Sequence, residues 1–483
     1  MGRRELLQVD SPDGSFAKSE LVELDGKKVW RKIDIKLLPI LTVMYLFSFM
    51  DRANIGNARL QGLEESLNMT GNQYNLALTL FFIPYCLFEV PSNLILKKFR
   101  PSRWLPFLTV LWGLVVLVTG FVKNFSQLVG LRVFLGAAEA GFYPGVVYYL
   151  SLWYPRYMYQ TRIAYFFGAA SMAGAFSGLL AYAIGFMDGV QGLRGWSWIF
   201  IVEGGMTVVV GFVAFGVMVD LPATAEFLTE EERMFVLDSQ KHGLPLGEEE
   251  HFERRHVWDA LTDWQLYLFM LMSFAFVCSL YGVTFFSPTI INSFGYTPAI
   301  SQLLSIPPYI LATIILNIFS YYADNCGLRS PFVIASLLIG LAGYAINFAN
   351  VSSGLKYFGI FLCVTGSYAG PPGVAAWQAN NTSGHYKRGL AMALNLSVGN
   401  VGGVVATMIF RSRDSPRFLV GFGVELVVIS VGIAAACTSV LVYRRVNSLR
   451  DRVENSPDGV GVMESSDELR KMGDKAVSFR YTI

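Results

Sequence analysis

Apolar residues along this chain fall in long, nearly unbroken runs. They do not follow the alternate positions of a half-buried strand or the three-to-four spacing of a surface helix. Twelve runs stand out, at approximately 35–57, 72–97, 103–122, 126–150, 162–187, 197–219, 264–291, 299–323, 329–349, 355–380, 388–410 and 417–443. Each is close to the roughly 20 residues a helix needs to cross the hydrocarbon core of a bilayer. Lipid offers backbone N–H and C=O groups no partners, so such runs fold as helices that satisfy their own backbone. The pattern predicts an all-α membrane protein of twelve transmembrane helices, in two groups of six.

The polar stretches set the organisation. Residues 1–34 lack the apolar core and small-residue cleavage site of a signal peptide, so the first run is expected to act as an uncleaved signal and a true span. A first bundle covers 35–219, a central loop 220–262, and a second bundle 263–443. In the central loop, LPATAEFLTEEER places Thr229 as a helix cap and Glu232 three residues on, the pattern of a capping box. The segment 444–483 is rich in Ser, Asp, Glu and Lys and reads as a disordered tail.

Composition narrows the function. Of 483 residues 53% are hydrophobic and 15% charged, against about 25% charged in soluble domains. A net charge of +2 carries no electrostatic footprint for nucleic acid. The five cysteines are scattered, with no disulfide framework and no metal-ligand spacing. The four histidines lie in the polar loop or at a span's end, and there is no HExxH, GxSxG or nucleotide-binding loop. The expectation is a protein with no metal or cofactor, neither an enzyme nor a nucleotide-driven pump.

Lys and Arg orient the spans. Lys27, Lys28, Arg31, Lys32 and Lys36 precede the first run, and Lys97, Lys98, Arg100, Arg103, Arg156, Arg162, Lys387 and Arg388 fall on the same side. Both termini are therefore expected in the cytoplasm; Arg411, Arg413 and Arg417 run against the rule.

Charges inside such spans are costly and seldom idle. Asp51 and Arg52 end the first apolar run. Arg132 and Glu139 lie seven residues apart in the fourth, nearly on one helix face, and Tyr85 and Glu89 are four apart in the second. These groups either pair to hold helices together or handle substrate and protons. A guanidinium grips a carboxylate through two parallel hydrogen bonds, a role that suits Arg52. A carboxyl away from water favours its protonated form, so Glu139 and Asp51 are the candidates to carry protons, with Arg132 modulating Glu139. An inside-negative potential opposes anion entry by roughly 2.3 kcal/mol per charge per 100 mV, and one co-transported proton cancels that for a monoanion. The tenth run, GSYAGPPGVAAWQANN, is broken by two prolines and followed by amides. Tyr85, Trp377, Gln378 and, from span eleven, Asn400 are the further candidates for a substrate wall, although the amides could equally bond neighbouring helices.

Taken together, DRANIGNA, RVFLGAAEAGFYPG, GWSWIFIVEG and LPATAEFLTEEER resemble the anion:cation symporter branch of the major facilitator superfamily, and more narrowly the fungal allantoate permease family. The resemblance covers about residues 28 to 445. It implies the major facilitator fold and plasma-membrane proton symport of small carboxylates such as allantoate, nicotinate or pantothenate; a monomer is the expected state. It also implies that Arg52 meets the substrate carboxylate and Glu139 couples protons, with Asp51 and Arg132 beside them. Tyr85, Glu89 and Pro91 match the family's second-span pattern. The superfamily's usual Asp in the basic loop after span two is absent, since Lys97 and Lys98 stand there; Asp324 and Arg329 in the second half are nearer to that pattern. An exporter of the same architecture and a non-transporting nutrient sensor are the alternative readings.

Overall fold

The computed structural model describes residues 25–70, 72–96, 99–242, 254–383, 385–454, 474 and 476–483. Every regular element among them is helical. Spans one, two and three are Gly26–Leu60, Gln73–Leu96 and Pro101–Thr119. Span four divides into Phe125–Glu139 and Phe142–Ser151, and spans five and six are Arg156–Gly185 and Gly195–Val217. In the second half, span seven is Trp264–Asn292, span eight Pro298–Leu304 with Ile306–Cys326, and span nine Ser330–Phe348. Span ten is Ser353–Ala369 with Pro371–Asn381, span eleven His385–Ile409 and span twelve Leu419–Glu454.

Nine of these are long and apolar enough, among the described residues, to cross a membrane. Spans two, four and ten are the others, and four and ten are each interrupted. The interruption of span ten falls at Gly370, immediately before the two prolines, whose rings cannot continue the preceding helical turn. Apolar side chains face outward, as lipid requires: Leu87, Phe134 and Leu441 are each about two-thirds exposed.

The second bundle repeats the packing of the first. Spans one and five, two and four, and three and six pack together, and seven and eleven, eight and ten, and nine and twelve do the same. The bundles meet through spans one and seven, two and eleven, and five and eight. Two glycines permit this approach. A Cβ on Gly56 would lie 2.6 Å from the Phe285 carbonyl oxygen, and one on Gly178 2.8 Å from that of Gln302. Polar bonds fasten the same seams. Asn75 donates to the carbonyls of Thr407 and Phe410, at 2.6 and 2.9 Å. The hydroxyls of Thr79 and Thr407 lie 2.8 Å apart, as do those of Ser171 and Thr313. Asn75, Gly56, Gly178 and Thr407 all lie toward the end of the bundles remote from Gly26, so the halves are closed on that side.

At the opposite end each half is tied to itself. Arg162 donates to both oxygens of Asp34, at 3.2 and 2.9 Å, and Lys32 reaches Glu232 at 2.7 Å. The capping box forms: the Thr229 amide donates to Glu232 at 2.9 Å and the Glu232 amide to Thr229 at 3.2 Å. Partial desolvation would raise the Glu232 carboxyl, but the bonds from Lys32 and the Thr229 amide outweigh it and hold it below its ordinary value. Arg329 and Asp324 pair at 2.5 Å. Lys97 and Lys98 lie outside the described residues.

The expectation of a disordered tail from residue 444 is corrected. Span twelve stays helical to Glu454, and Asp474 with residues 476–483 docks beneath the second bundle. Lys387 pairs with both Asp263, at 2.6 Å, and Asp474, at 2.8 Å. Tyr481 stacks on Tyr443 with centroids 4.6 Å apart. The Thr482 amide donates to Asn381 at 2.8 Å and the Tyr481 amide to Asn447 at 3.0 Å. Arg450 donates to the carbonyls of Phe479 and Asp474. Asp474→Ala is expected to weaken this docking by about 1.5–3 kcal/mol, the range for a hydrogen bond to a charged group. The readout is faster amide exchange at Tyr481 and Thr482. Unchanged exchange there would assign the docking to the Tyr481–Tyr443 stack instead.

Candidate functional site

Span one changes face at its Asp-Arg pair. Successive helical residues point roughly 100° apart, so Asp51 turns into the first bundle and Arg52 toward the seam between bundles. Both are buried, as are Arg132 and Glu139.

Arg52 is the centre of the seam. Its Nε donates to Glu139 at 2.8 Å. Its Nη1 donates to the hydroxyl of Tyr281 at 2.6 Å, across to span seven of the second bundle. The guanidinium lies over three rings, with Tyr85 at 4.8 Å, Phe49 at 5.1 Å and Phe81 at 5.4 Å. Such rings attract a cation through their quadrupole and fix the plane of the fork. Phe49 and Phe82 close over Tyr281 itself, with centroids 6.5 and 4.7 Å away. Glu139 also accepts from the Ser48 hydroxyl, one turn before Arg52. Its second oxygen has no hydrogen-bond partner.

Asp51 faces the interior of the first bundle, where it accepts from the Trp112 indole at 3.2 Å and the Thr207 hydroxyl at 2.9 Å. Arg132 sits over the Phe200 ring at 5.8 Å, with Tyr74, Glu139 and Asp51 as its electrostatic neighbours. Its Nε and one terminal nitrogen make no hydrogen bond. Arg132 therefore stands beside the Arg52–Glu139 pair without joining it.

The other candidates divide. Tyr85 lies against Arg52. Asn400 faces Glu89 across the seam between spans two and eleven. The structure does not bring Trp377 and Gln378 to Arg52. After the break at Gly370 span ten carries them to the lower end of the second bundle. There the Trp377 indole donates to the Thr482 carbonyl at 2.9 Å and packs edge-on against Phe269. Gln378 donates to the Ala391 carbonyl at 3.1 Å and accepts from Asn395 at 2.7 Å. Both serve the docked segment and local packing.

Reasoning from sequence missed Tyr281, whose aromatic ring is unremarkable in an apolar run. It also missed Glu203 in span six and Glu425 in span twelve, both fully buried. Each is the only acid in its apolar run, which was the available signal.

The arrangement suits an anion carrier. A carboxylate reaching Arg52 between the bundles would take the place of the Tyr281 hydroxyl. Glu139, on the other edge of the fork, would sense the exchange. Among the described residues no group of His, Cys, Asp and Glu side chains could hold a metal ion.

Known proteins agree with this architecture. The family model of the Major Facilitator Superfamily matches residues 41–407. The chain is 33% identical over 456 residues to a high-affinity nicotinic acid transporter of Saccharomyces cerevisiae, covering 94% of this chain and 84% of that one. It is 35% identical over 476 residues to the MFS-type transporter cnsO of Penicillium expansum, covering 95% and 90%. The crystal structure of a D-xylose-proton symporter superposes with a TM-score of 0.63 at 12% identity, over 85% of this chain and 97% of that one. A bacterial homolog of the human lysosomal transporter Spinster, inward-facing and occupied, gives 0.62 at 14% identity, over 84% and 96%.

Proposed function

The chain belongs to the Major Facilitator Superfamily, and from that premise we propose that it takes a small carboxylate into the cell together with protons. It is a multi-pass membrane transporter and not an enzyme. The single observation that carries the finer reading is the buried Arg52, bonded to an acid of its own bundle and to a tyrosine of the other. A guanidinium at that depth is an anion site by its chemistry, and its position on the seam lets ligand binding and bundle rocking influence each other. In this reading Arg52, Tyr85 and Asn400 receive the substrate, while Glu139, Asp51 and Arg132 handle protons.

The likeness to a nicotinic acid transporter supports a carboxylate. We place the chain in the allantoate permease branch, as a monomer in the plasma membrane with both termini cytoplasmic. The basic residues at the Gly26 end of the bundles support that orientation. The bundles are closed on the remote side, which on this orientation is the outer face.

Cells lacking their own permeases, supplied with labelled vitamins, ureides and organic acids, test the reading. Uptake of at least one carboxylate is expected to rise at acid external pH and to collapse with a protonophore. The sign follows from the coupling, because external protons are a co-substrate for entry. No uptake of any panel member by protein present at the surface would overturn it.

A further inference from the structure

The buried charges of the first bundle do not balance. Among the described residues four carboxyls are buried there, on Asp51, Glu89, Glu139 and Glu203, against two guanidiniums, on Arg52 and Arg132. A buried ion without a counter-charge costs several kcal/mol even after relaxation. The carboxyls are served unequally. Glu139 has the Arg52 fork and the Ser48 hydroxyl. Asp51 has the Trp112 indole and the Thr207 hydroxyl on one oxygen and no donor on the other. Neither oxygen of Glu203 has a hydrogen-bond partner.

The surroundings of Glu203 sharpen this. Its neighbours are the Asp51 carboxyl and the Asn54 side-chain amide, a weak donor that stands beyond close hydrogen-bond distance, both from span one. Span three packs along span six so closely that a Cβ on Gly204 would lie 2.4 Å from the Leu117 amide nitrogen. Among the described residues no titratable side chain of spans three or five neighbours it, while Asp51 has Glu139 and Arg132 of span four as further charged neighbours. Two adjacent acids with no cation between them cannot both be charged. Thr207, one turn along from Glu203, fits a site that changes protonation. Its single hydroxyl hydrogen has two acceptors in reach, Asp51 at 2.9 Å and the Glu203 backbone carbonyl at 3.0 Å. It donates to a charged Asp51, or turns to the carbonyl and accepts from a protonated one.

We propose that Glu203 and Asp51 share one proton, forming a proton-holding pair inside the first bundle, separate from the Arg52–Glu139 pair on the seam. The pair deepens the proposed symport and rests on it for its role in transport. Asp51 adjoins Arg52 in the chain, so gain or loss of the shared proton acts on the helix turn that positions the anion site. On this assignment Glu203 is a positioning residue that never meets the substrate.

Infrared spectroscopy of the purified, lipid-reconstituted protein at neutral pH tests the pair without any substrate. A protonated carboxyl has a C=O stretch, sensitive to deuteration, apart from the amide bands. One such band is expected to be lost in Glu203→Gln, where Asp51 keeps the Trp112 and Thr207 donors and can ionise, to shift in Asp51→Asn, where Glu203 stays protonated beside a neutral amide, and to persist in Glu203→Asp. In proteoliposomes with an imposed proton gradient, Glu203→Gln is expected to carry one proton fewer per substrate while substrate exchange continues. Spectra of both single variants that superpose on the parent in this region would overturn the proposal. So would a sodium-dependent rise in thermal stability that Glu203→Gln abolishes, since a cation would then occupy the place assigned to the proton. Absence of any carboxylate transport would sink the proposed function but leave the infrared result to decide the pair.

Discussion

Arg52→Ala abolishes carboxylate uptake in the expected outcome, while the protein still reaches the membrane. Truncating one partner of a buried, hydrogen-bonded charge pair costs about 2–5 kcal/mol. With tenfold in affinity for each 1.4 kcal/mol, the loss is roughly 30- to 4,000-fold. The fork is what disappears: Glu139 loses its donor at 2.8 Å and Tyr281 its partner at 2.6 Å. The substitution also leaves Glu139 buried without a counter-charge, which threatens folding, so uptake has to be normalised to surface protein. Arg52→Lys separates the two effects. It keeps the charge beside Glu139 but not the planar pair of donors, so uptake should fall strongly with little change in expression. Uptake unchanged in Arg52→Ala would remove the anion site from this seam.

Glu139→Gln should leave a protein that binds and exchanges its substrate yet cannot concentrate it. The amide keeps a carbonyl oxygen for the Ser48 hydroxyl and for Arg52, so the geometry of the fork survives at reduced strength. What it cannot do is accept and release a proton. Exchange requires only that the loaded carrier move in both directions, whereas accumulation requires a step that draws on the proton gradient. The measurement is substrate accumulation against counterflow in the same vesicles, across external pH. Accumulation should lose its acid stimulation, and counterflow should keep most of its rate. Accumulation that survives intact would move proton coupling from Glu139 to another acid, with Asp51 and Glu203 next in line.

The helical scaffold is legible in this sequence because lipid imposes length and apolarity on each span separately. Asp51, Arg52 and Glu139 are legible for the same reason, since charges stand out against such a background. Their partners are less so. Tyr281 resembles any other aromatic residue in a span, and only the meeting of spans one and seven gives it Arg52. Glu203 is the lone acid of its run and was passed over, and its proposed pairing with Asp51 depends on how span six lies against span one. Trp377 and Gln378 misled because a broken helix suggests a binding wall wherever it occurs, while the direction taken after Gly370 is a tertiary fact. The docked segment was hidden by its composition: Phe479, Tyr481 and Ile483 are few among polar neighbours, and their contacts lie on spans seven to twelve.

Tyr281 bears on selectivity among anions. A bare guanidinium in a cleft open to water would attract chloride, which is abundant and needs no particular geometry. Here two edges of the fork already have partners, an acid and a phenol. A spherical halide can offer Arg52 only a single point of contact in place of the bond from Arg52 to Tyr281. A planar carboxylate brings two oxygens set at the spacing of the guanidinium nitrogens, so it gains a second bond where the halide gains none. On the proposed anion site, an arginine satisfied by its own protein thus sets a threshold that a ligand with a single point of contact does not cross.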